Sequence, residues 1–238
     1  MAEIAGDQQV QSEVLEGLAT AVNHRRWFVE LAMPYLGDDP IEIGSGLGDY
    51  AVEWADRIPR FTATEADPER LVRLKERMVD HPGVSVREML LPSEEGGHYS
   101  AAVSYNVLEH IEDHVSALRS IARLVRPGGA IVLIVPAFMF AMSPVDIATG
   151  HVRRYTKKTM RAALTEAGLE VERVRYANAL GLIGYYAATS VFKLTPKEGT
   201  MVKVYDRLVL PVTKAVESVV RPPFGQSVFA VARVPANA

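Results

Sequence analysis

The 238-residue chain contains no cysteine. That absence removes disulfide frameworks, thiolate zinc sites, iron–sulfur clusters and thiol nucleophiles in one step. A surplus of one charge is also missing: 26 Lys and Arg stand against 29 Asp and Glu, a net charge of −3. Proteins that grip nucleic acid through its phosphates are usually basic, so no nucleic-acid partner is expected. No apolar run reaches the roughly 18 residues of a spanning helix. The nearest candidates are 130–142 and 179–192. Met1–Gln11 is polar and lacks the basic opening and apolar stretch of a secretory signal, so no transmembrane segment and a cytoplasmic location are expected.

What is present is ordinary globular composition, with 48% hydrophobic residues, enough for one sizeable core. Helical spacing covers 10–35, broken by Gly37-Asp38-Asp39-Pro40. Short apolar strands follow at 41–43, 61–65 and 84–86, with helices at 49–57 and from Asp67 onward. There Asp67 can cap and Pro68 takes the first helical position. Further strands are expected at 99–105, 130–135, 169–176 and 227–234, with helices at 115–125 and 156–167 and a loop at 137–149. Two more helices, about 180–193 and 200–220, precede the last strand, and Pro211 should kink the second. The fold class expected is α/β: a doubly wound, mostly parallel seven-stranded sheet with a helical insertion before the last strand.

Ile41-Glu42-Ile43-Gly44-Ser45-Gly46-Leu47-Gly48 sets three glycines between a strand and a helix. Such a turn lets a ligand touch backbone. A dinucleotide fingerprint would read G-x-G-x-x-G and receive a pyrophosphate. Here the spacing is G-x-G-x-G, and Asp49 stands where the third glycine would fall. That acid would repel a pyrophosphate, and Glu42 suits a cationic ligand. Glu65 ends the second strand, where an acid can accept two ribose hydroxyls.

With these features the chain resembles the class I S-adenosylmethionine-dependent methyltransferases. Glu42–Gly48 matches their first motif and Thr64-Glu65-Ala66-Asp67-Pro68 the acidic end of their second strand. Ser104-Tyr105-Asn106-Val107-Leu108-Glu109-His110-Ile111 matches the fourth-strand segment, and Leu124-Val125-Arg126-Pro127-Gly128-Gly129 the turn before the fifth. The resemblance spans about residues 39–135, with the motifs in order. It implies S-adenosylmethionine as cofactor. Glu42, Gly44, Ser45, Gly46 and Gly48 would meet its amino-acid part, Glu65 and Ala66 the ribose, and Asn106 and Val107 the methionine end. The family often has an Asp after strand three for the adenine; Glu88-Met89-Leu90-Leu91 stands there instead, leaving backbone with Met89 and Leu90 for that contact. Ser100 likewise replaces a frequent acid at the fourth strand. The whole chain reads as a single methyltransferase domain: a helical cap (1–36), a cofactor core (39–176), the insertion or lid (177–222) and the final strand (226–235).

Methyl transfer from a sulfonium is a displacement, so the protein supplies placement, electrostatics and, where needed, a base. His110, His151 and Tyr155 are the catalytic candidates. Gly150-His151-Val152-Arg153-Arg154-Tyr155-Thr156 falls on the carboxyl side of the sheet, where Arg153 or Arg154 can hold a carboxylate or phosphate. The same segment also reads as a solvated lead-in to a helix capped by Thr156. Phe138, Tyr186 and Trp27 are candidate acceptor contacts, although a tryptophan so placed is more often core. No metal is expected. The insertion reads as a lid over an apolar acceptor, a homodimer surface or a membrane-surface face. The expected function is methylation of a small, partly apolar metabolite at oxygen, with nitrogen second. A nicotinamide-dependent oxidoreductase and a non-catalytic cofactor-binding subunit are the rival readings.

Overall fold

The computed structural model describes residues 6–187 and 199–236. Its strands are β1 (Ile41–Ile43), β2 (Phe61–Glu65), β3 (Val84–Glu88), β4 (Tyr99–Tyr105), β5 (Val125–Pro136), β6 (Glu170–Ala177) and β7 (Ser227–Arg233). They form one sheet in the order β3-β2-β1-β4-β5-β7-β6. The first five run parallel, and β7 pairs antiparallel with both β5 and β6. The order reverses at β1, which has β2 on one side and β4 on the other. In open α/β sheets the crevice at that reversal takes the ligand.

The described helices are α1 (Gln8–Leu18), α2 (Val22–Leu36), α3 (Ala51–Ala55), α4 (Pro68–Met78), α5 (His114–Leu124), α6 (Pro144–Ala148), α7 (Lys157–Glu166), α8 (Ala179–Tyr186), α9 (Gly199–Val204) and α10 (Leu210–Val219). Side chains of a strand point alternately to the two faces. Ala101, Val103 and Tyr105 of β4 therefore join the core beneath α2, α3 and α4, with Ala130, Val132 and Ile134 of β5. Ala102, Ile131, Leu133 and Val135 join the opposite core, beneath α5 and α7. The central strands are buried on both faces, which is why β5 reads as an unbroken apolar run.

The Asp67-Pro68 helix start is as expected: the Asp67 carboxylate accepts from the Arg70 amide at 2.8 Å and Pro68 occupies the first turn. Several boundaries differ. The expected helix over 10–35 is two helices, broken between Leu18 and Val22. Ala21 cannot cap the second one with its side chain, and Asp206 does so from the insertion, accepting from the amides of Asn23 (2.9 Å) and His24 (2.8 Å). A continuous helix would have spent those amides internally. The helix expected over 49–57 contracts to α3. The expected loop 137–149 contains a 3-10 turn, Met139–Ala141, and α6, which a Ser143–Asp146 capping box opens.

Between α9 and α10 lies a π-helical turn, Tyr205–Val209. Pro211 follows it in the first turn of α10. Proline has no N–H to give the preceding turn, and the helix widens into a π turn at that point, where the sequence points to a kink. The helix expected over 180–193 begins as α8, and its part from residue 188 lies outside the described residues. Among the described residues no helix is long and apolar enough to cross a membrane.

Candidate active site

The loop after β1 holds Gly44, Gly46 and Gly48 at φ +70°, +56° and +82°. Side-chain-bearing residues adopt such angles at a cost, which accounts for the glycines. The Ser45 amide donates to the Thr64 carbonyl at 2.6 Å, tying the loop to β2. Glu65 completes the tie. One of its oxygens accepts from the Gly46 amide (2.8 Å), the other from the Ala66 and Asp67 amides (3.0 and 2.9 Å), with the Arg70 guanidinium 3.4 Å away. Met89 is buried just beyond β3, its amide donating to the Glu65 carbonyl, while Leu90 stays exposed. Asn106 turns the chain after β4 with φ +52°.

Four buried polar atoms around this loop have no protein hydrogen-bond partner: Glu42 Oε2, Ser45 Oγ, Trp54 Nε1 and Arg70 Nη1. Buried polar atoms nearly always find partners; Glu42, Ser45 and Trp54 lie close enough for the hydroxyl and the indole to act on the carboxylate, and Arg70 lies beside Glu65. Burial pushes the Glu42 carboxyl up to about 8; Ser45 and Trp54 temper this, and the charges of Asp49 and Glu65 add to it. An arriving cation would reverse that shift. Ligand donors and acceptors of the S-adenosylmethionine type, an ammonium and carboxylate beside a ribose, fit this set. α1 closes over it. Leu15 lies 3.3 Å from where a Cβ on Gly46 would be, the Gln11 side chain donates to the Thr149 carbonyl (2.7 Å), and Gln8 accepts from Arg70 (3.0 Å).

A second cluster adjoins the first. After Val107 the chain makes a 3-10 turn, Leu108–His110, which carries Glu109 inward. Glu109 is fully buried, and neither carboxylate oxygen has a hydrogen-bond partner in the protein. Burial raises its pKa to about 7, with His151 opposing. The His110 ring meets the His151 ring edge-on, centroids 4.6 Å apart. Burial and the neighbouring His151 lower the pKa of His110 to about 4. His151 Nδ1 lies 2.8 Å from Asp146 Oδ1, and its Nε2 lies 4.0 Å from Glu109 Oε1. Burial alone would raise the Asp146 carboxyl, but His151, Arg154 and Ser143 hold it well below the usual carboxylate range.

The rest of the basic segment is not where the sequence suggested. Arg154 is buried, grips both oxygens of Asp146 (2.7 and 2.9 Å) and stacks over Tyr185. Arg153 donates to the carbonyls of Ile111 and Glu112. Both guanidiniums are therefore spent inside the protein rather than offered to an acceptor. Tyr155 is also buried, its hydroxyl 2.8 Å from His114 Nδ1, and burial raises the phenol further from ionisation. It is a structural latch, not a base. Trp27 is 4% exposed and packs into the core beside Phe28, so it is not an acceptor contact. Phe138 and Tyr186 do come together, through Phe140: Phe138 stacks on Phe140 (5.2 Å) and Tyr176 (4.8 Å), and Tyr186 meets Phe140 edge-on (5.7 Å).

Sequence reasoning missed Asp146 and Tyr185, whose hydroxyl contacts both Ser143 (2.7 Å) and Asp146 (3.0 Å). The Ser-x-x-Asp spacing of a capping box was the available signal for Asp146.

Residues 31–174 match the methyltransferase domain family, and the chain belongs to it. Its glycine loop, acidic second-strand end and strand order are those of the class I type, whose cofactor is S-adenosylmethionine. An uncharacterized methyltransferase of Mycobacterium leprae is 25% identical over 163 residues, covering 65% of this chain and 60% of that protein. The chain thus spans less than two thirds of that relative's length. A shorter stretch of 95 residues is 33% identical to an uncharacterized methyltransferase of Mycobacterium bovis, 40% of this chain and 48% of the other.

Among solved structures, a chain of the Haloferax volcanii complex of the Trm112 methyltransferase activator with a methyltransferase superposes with TM-score 0.66. It is 17% identical and covers 96% of this chain and 98% of that one. Geranyl diphosphate C-methyltransferase from Streptomyces coelicolor A3(2), in complex with Mg2+, geranyl diphosphate and S-adenosyl-L-homocysteine, gives TM-score 0.61 at 14% identity, over 86% and 77% of the two chains. At those identities the likeness is one of fold.

Proposed function

We propose that the protein is an S-adenosylmethionine-dependent methyltransferase that methylates an oxygen, with nitrogen second, of a small and partly apolar molecule by direct displacement. The observation that carries the reading is the positive-φ glycine loop at the sheet's reversal point, tied to the strand-end Glu65 and floored by the buried Glu42. When bound, the cofactor supplies an electrophilic methyl group. The chain's own residues bind and orient. Glu42 and the Gly44–Gly48 loop receive the charged amino-acid end, Glu65 and Ala66 the ribose, Met89 and Leu90 the adenine, and Asn106 and Val107 border the reacting end. Segment 1–36 acts as a cap, since α1 already covers the loop. Placement alone is worth roughly 7–11 kcal/mol, so a dedicated base is not compulsory.

The acceptor lies against the Phe138–Phe140–Tyr186 wall, with the described parts of the insertion, 177–187 and 199–222, as its lid, and His110 and His151 face its reacting oxygen. The wall's aromatic character supports a partly apolar acceptor. Calorimetry tests the cofactor site: Gly46→Val and Glu65→Ala should each lose tenfold or more in S-adenosylmethionine affinity, and normal affinity in both overturns the assignment.

A further inference from the structure

We propose that Glu109, His110 and His151 form a binding site for one divalent transition-metal ion, Zn2+ or a chemically similar cation. One donor atom from each lies within 4.8 Å of the others. Glu109 Oε1 and His151 Nε2 are 4.0 Å apart, too far for a hydrogen bond. With metal–ligand bonds of about 2.0–2.2 Å, two ligands on a tetrahedral ion stand about 3.3–3.6 Å apart, so an entering ion would draw these donors together by about 0.5–1.5 Å, within the reach of side-chain rotation.

Independent of the spacing, four of the cluster's buried atoms lack a protein hydrogen bond: both Glu109 oxygens, His110 Nδ1 and His151 Nδ1. A fully buried carboxylate with no donor is among the costliest groups a core can hold, and a cation satisfies it directly. The surroundings also orient a ligand. Asp146 approaches His151 Nδ1 at 2.8 Å, and Arg154 fixes Asp146 from the other side. His151 Nε2 is the ring nitrogen on the Glu109 side, and Asp146 supplies a negative charge behind the ring. Two imidazoles and one carboxylate favour Zn2+, Fe2+, Co2+ or Mn2+ over the oxygen-seeking Mg2+ and Ca2+.

Three protein ligands leave at least one position open. That position would take the acceptor's reacting oxygen, because a bound cation lowers the pKa of a hydroxyl it coordinates. This role rests on the methyl-transfer reading above; the metal site does not.

The test uses the full, untagged chain, stripped with chelator, incubated with Zn2+ or Co2+ and dialysed. Elemental analysis should find about one equivalent of metal, and the Co2+ form should show visible d–d absorption. Glu109→Gln and His151→Ala should weaken binding tenfold or more, and Asp146→Asn by about tenfold. His98→Ala, at an exposed histidine outside the cluster, should bind as the parent does. Circular dichroism and thermal unfolding establish that each variant is folded. The site is overturned if the parent retains no metal, or if folded Glu109→Gln and His151→Ala retain as much as the parent. S-adenosylmethionine calorimetry on the same samples separates the two ideas: cofactor binding without metal defeats the metal site alone, and metal binding without cofactor binding defeats the methyl-transfer reading alone.

Discussion

A Cβ on Gly44 would stand 2.5 Å from Cγ2 of Val107. The first glycine of the β1 loop and the residue after the β4 turn are therefore packed against each other, and the glycine loop and the segment after β4 are one unit. Gly44 also holds φ +70°. Gly44→Ala would meet both penalties, the left-handed backbone and the overlap with Val107, whose side chain is branched at Cβ and stiff. The expected loss is about 2–4 kcal/mol of stability. S-adenosylmethionine affinity should fall at least tenfold in whatever fraction stays folded. Chemical denaturation and calorimetry read the two effects, and a variant with parental values in both would show that the loop is not this tightly constrained.

Glu42 gives the protein a pH signature. The folded chain keeps its proton to about pH 8, against an ordinary carboxyl value of 4.5. Between those two values the folded state holds more protons than the unfolded state, so this residue makes stability fall as pH rises from about 4.5 to 8. Outside that window its contribution is flat. Glu42→Gln keeps the shape and removes the titration. Relative to the parent, the variant should gain roughly 3–5 kcal/mol between pH 5 and pH 8. Urea midpoints at the two pH values measure it, and parallel pH profiles for parent and variant would refute it.

Much of this fold was legible because it is written locally. The Asp67-Pro68 start, the β4 boundaries and the double-sided burial of β5 all follow from a few adjacent residues. The glycine loop and Glu65 were readable too, through their spacing. What was not legible depends on distant partners. Nothing near Ala21 announces a helix break, because the cap comes from Asp206, 183 residues from Asn23. Arg154 read as an acceptor-binding group because its partner Asp146 lay in what looked like a loop. The Glu109–His110–His151 cluster was visible only as separate residues, since the 3-10 turn after β4 and the return of the chain from α6 are what join them.

Asp206 also predicts how the insertion is coupled to the core. It is 3% exposed, and its two oxygens cap the Asn23 and His24 amides at the start of α2. Beneath that turn, Trp27 and Phe28 enter the core. Removing a cap of this kind costs about 1–2 kcal/mol. Asp206→Ala should lower stability by that amount. Asp206→Asn should lose less, because an amide oxygen can still accept from one of the two N–H groups. Hydrogen exchange localises the effect: the amides of residues 23 and 24 should exchange faster in Asp206→Ala while those of β4 are slowed or quickened only in step with global stability. If the first turn of α2 keeps its parental protection, the insertion does not hold that helix.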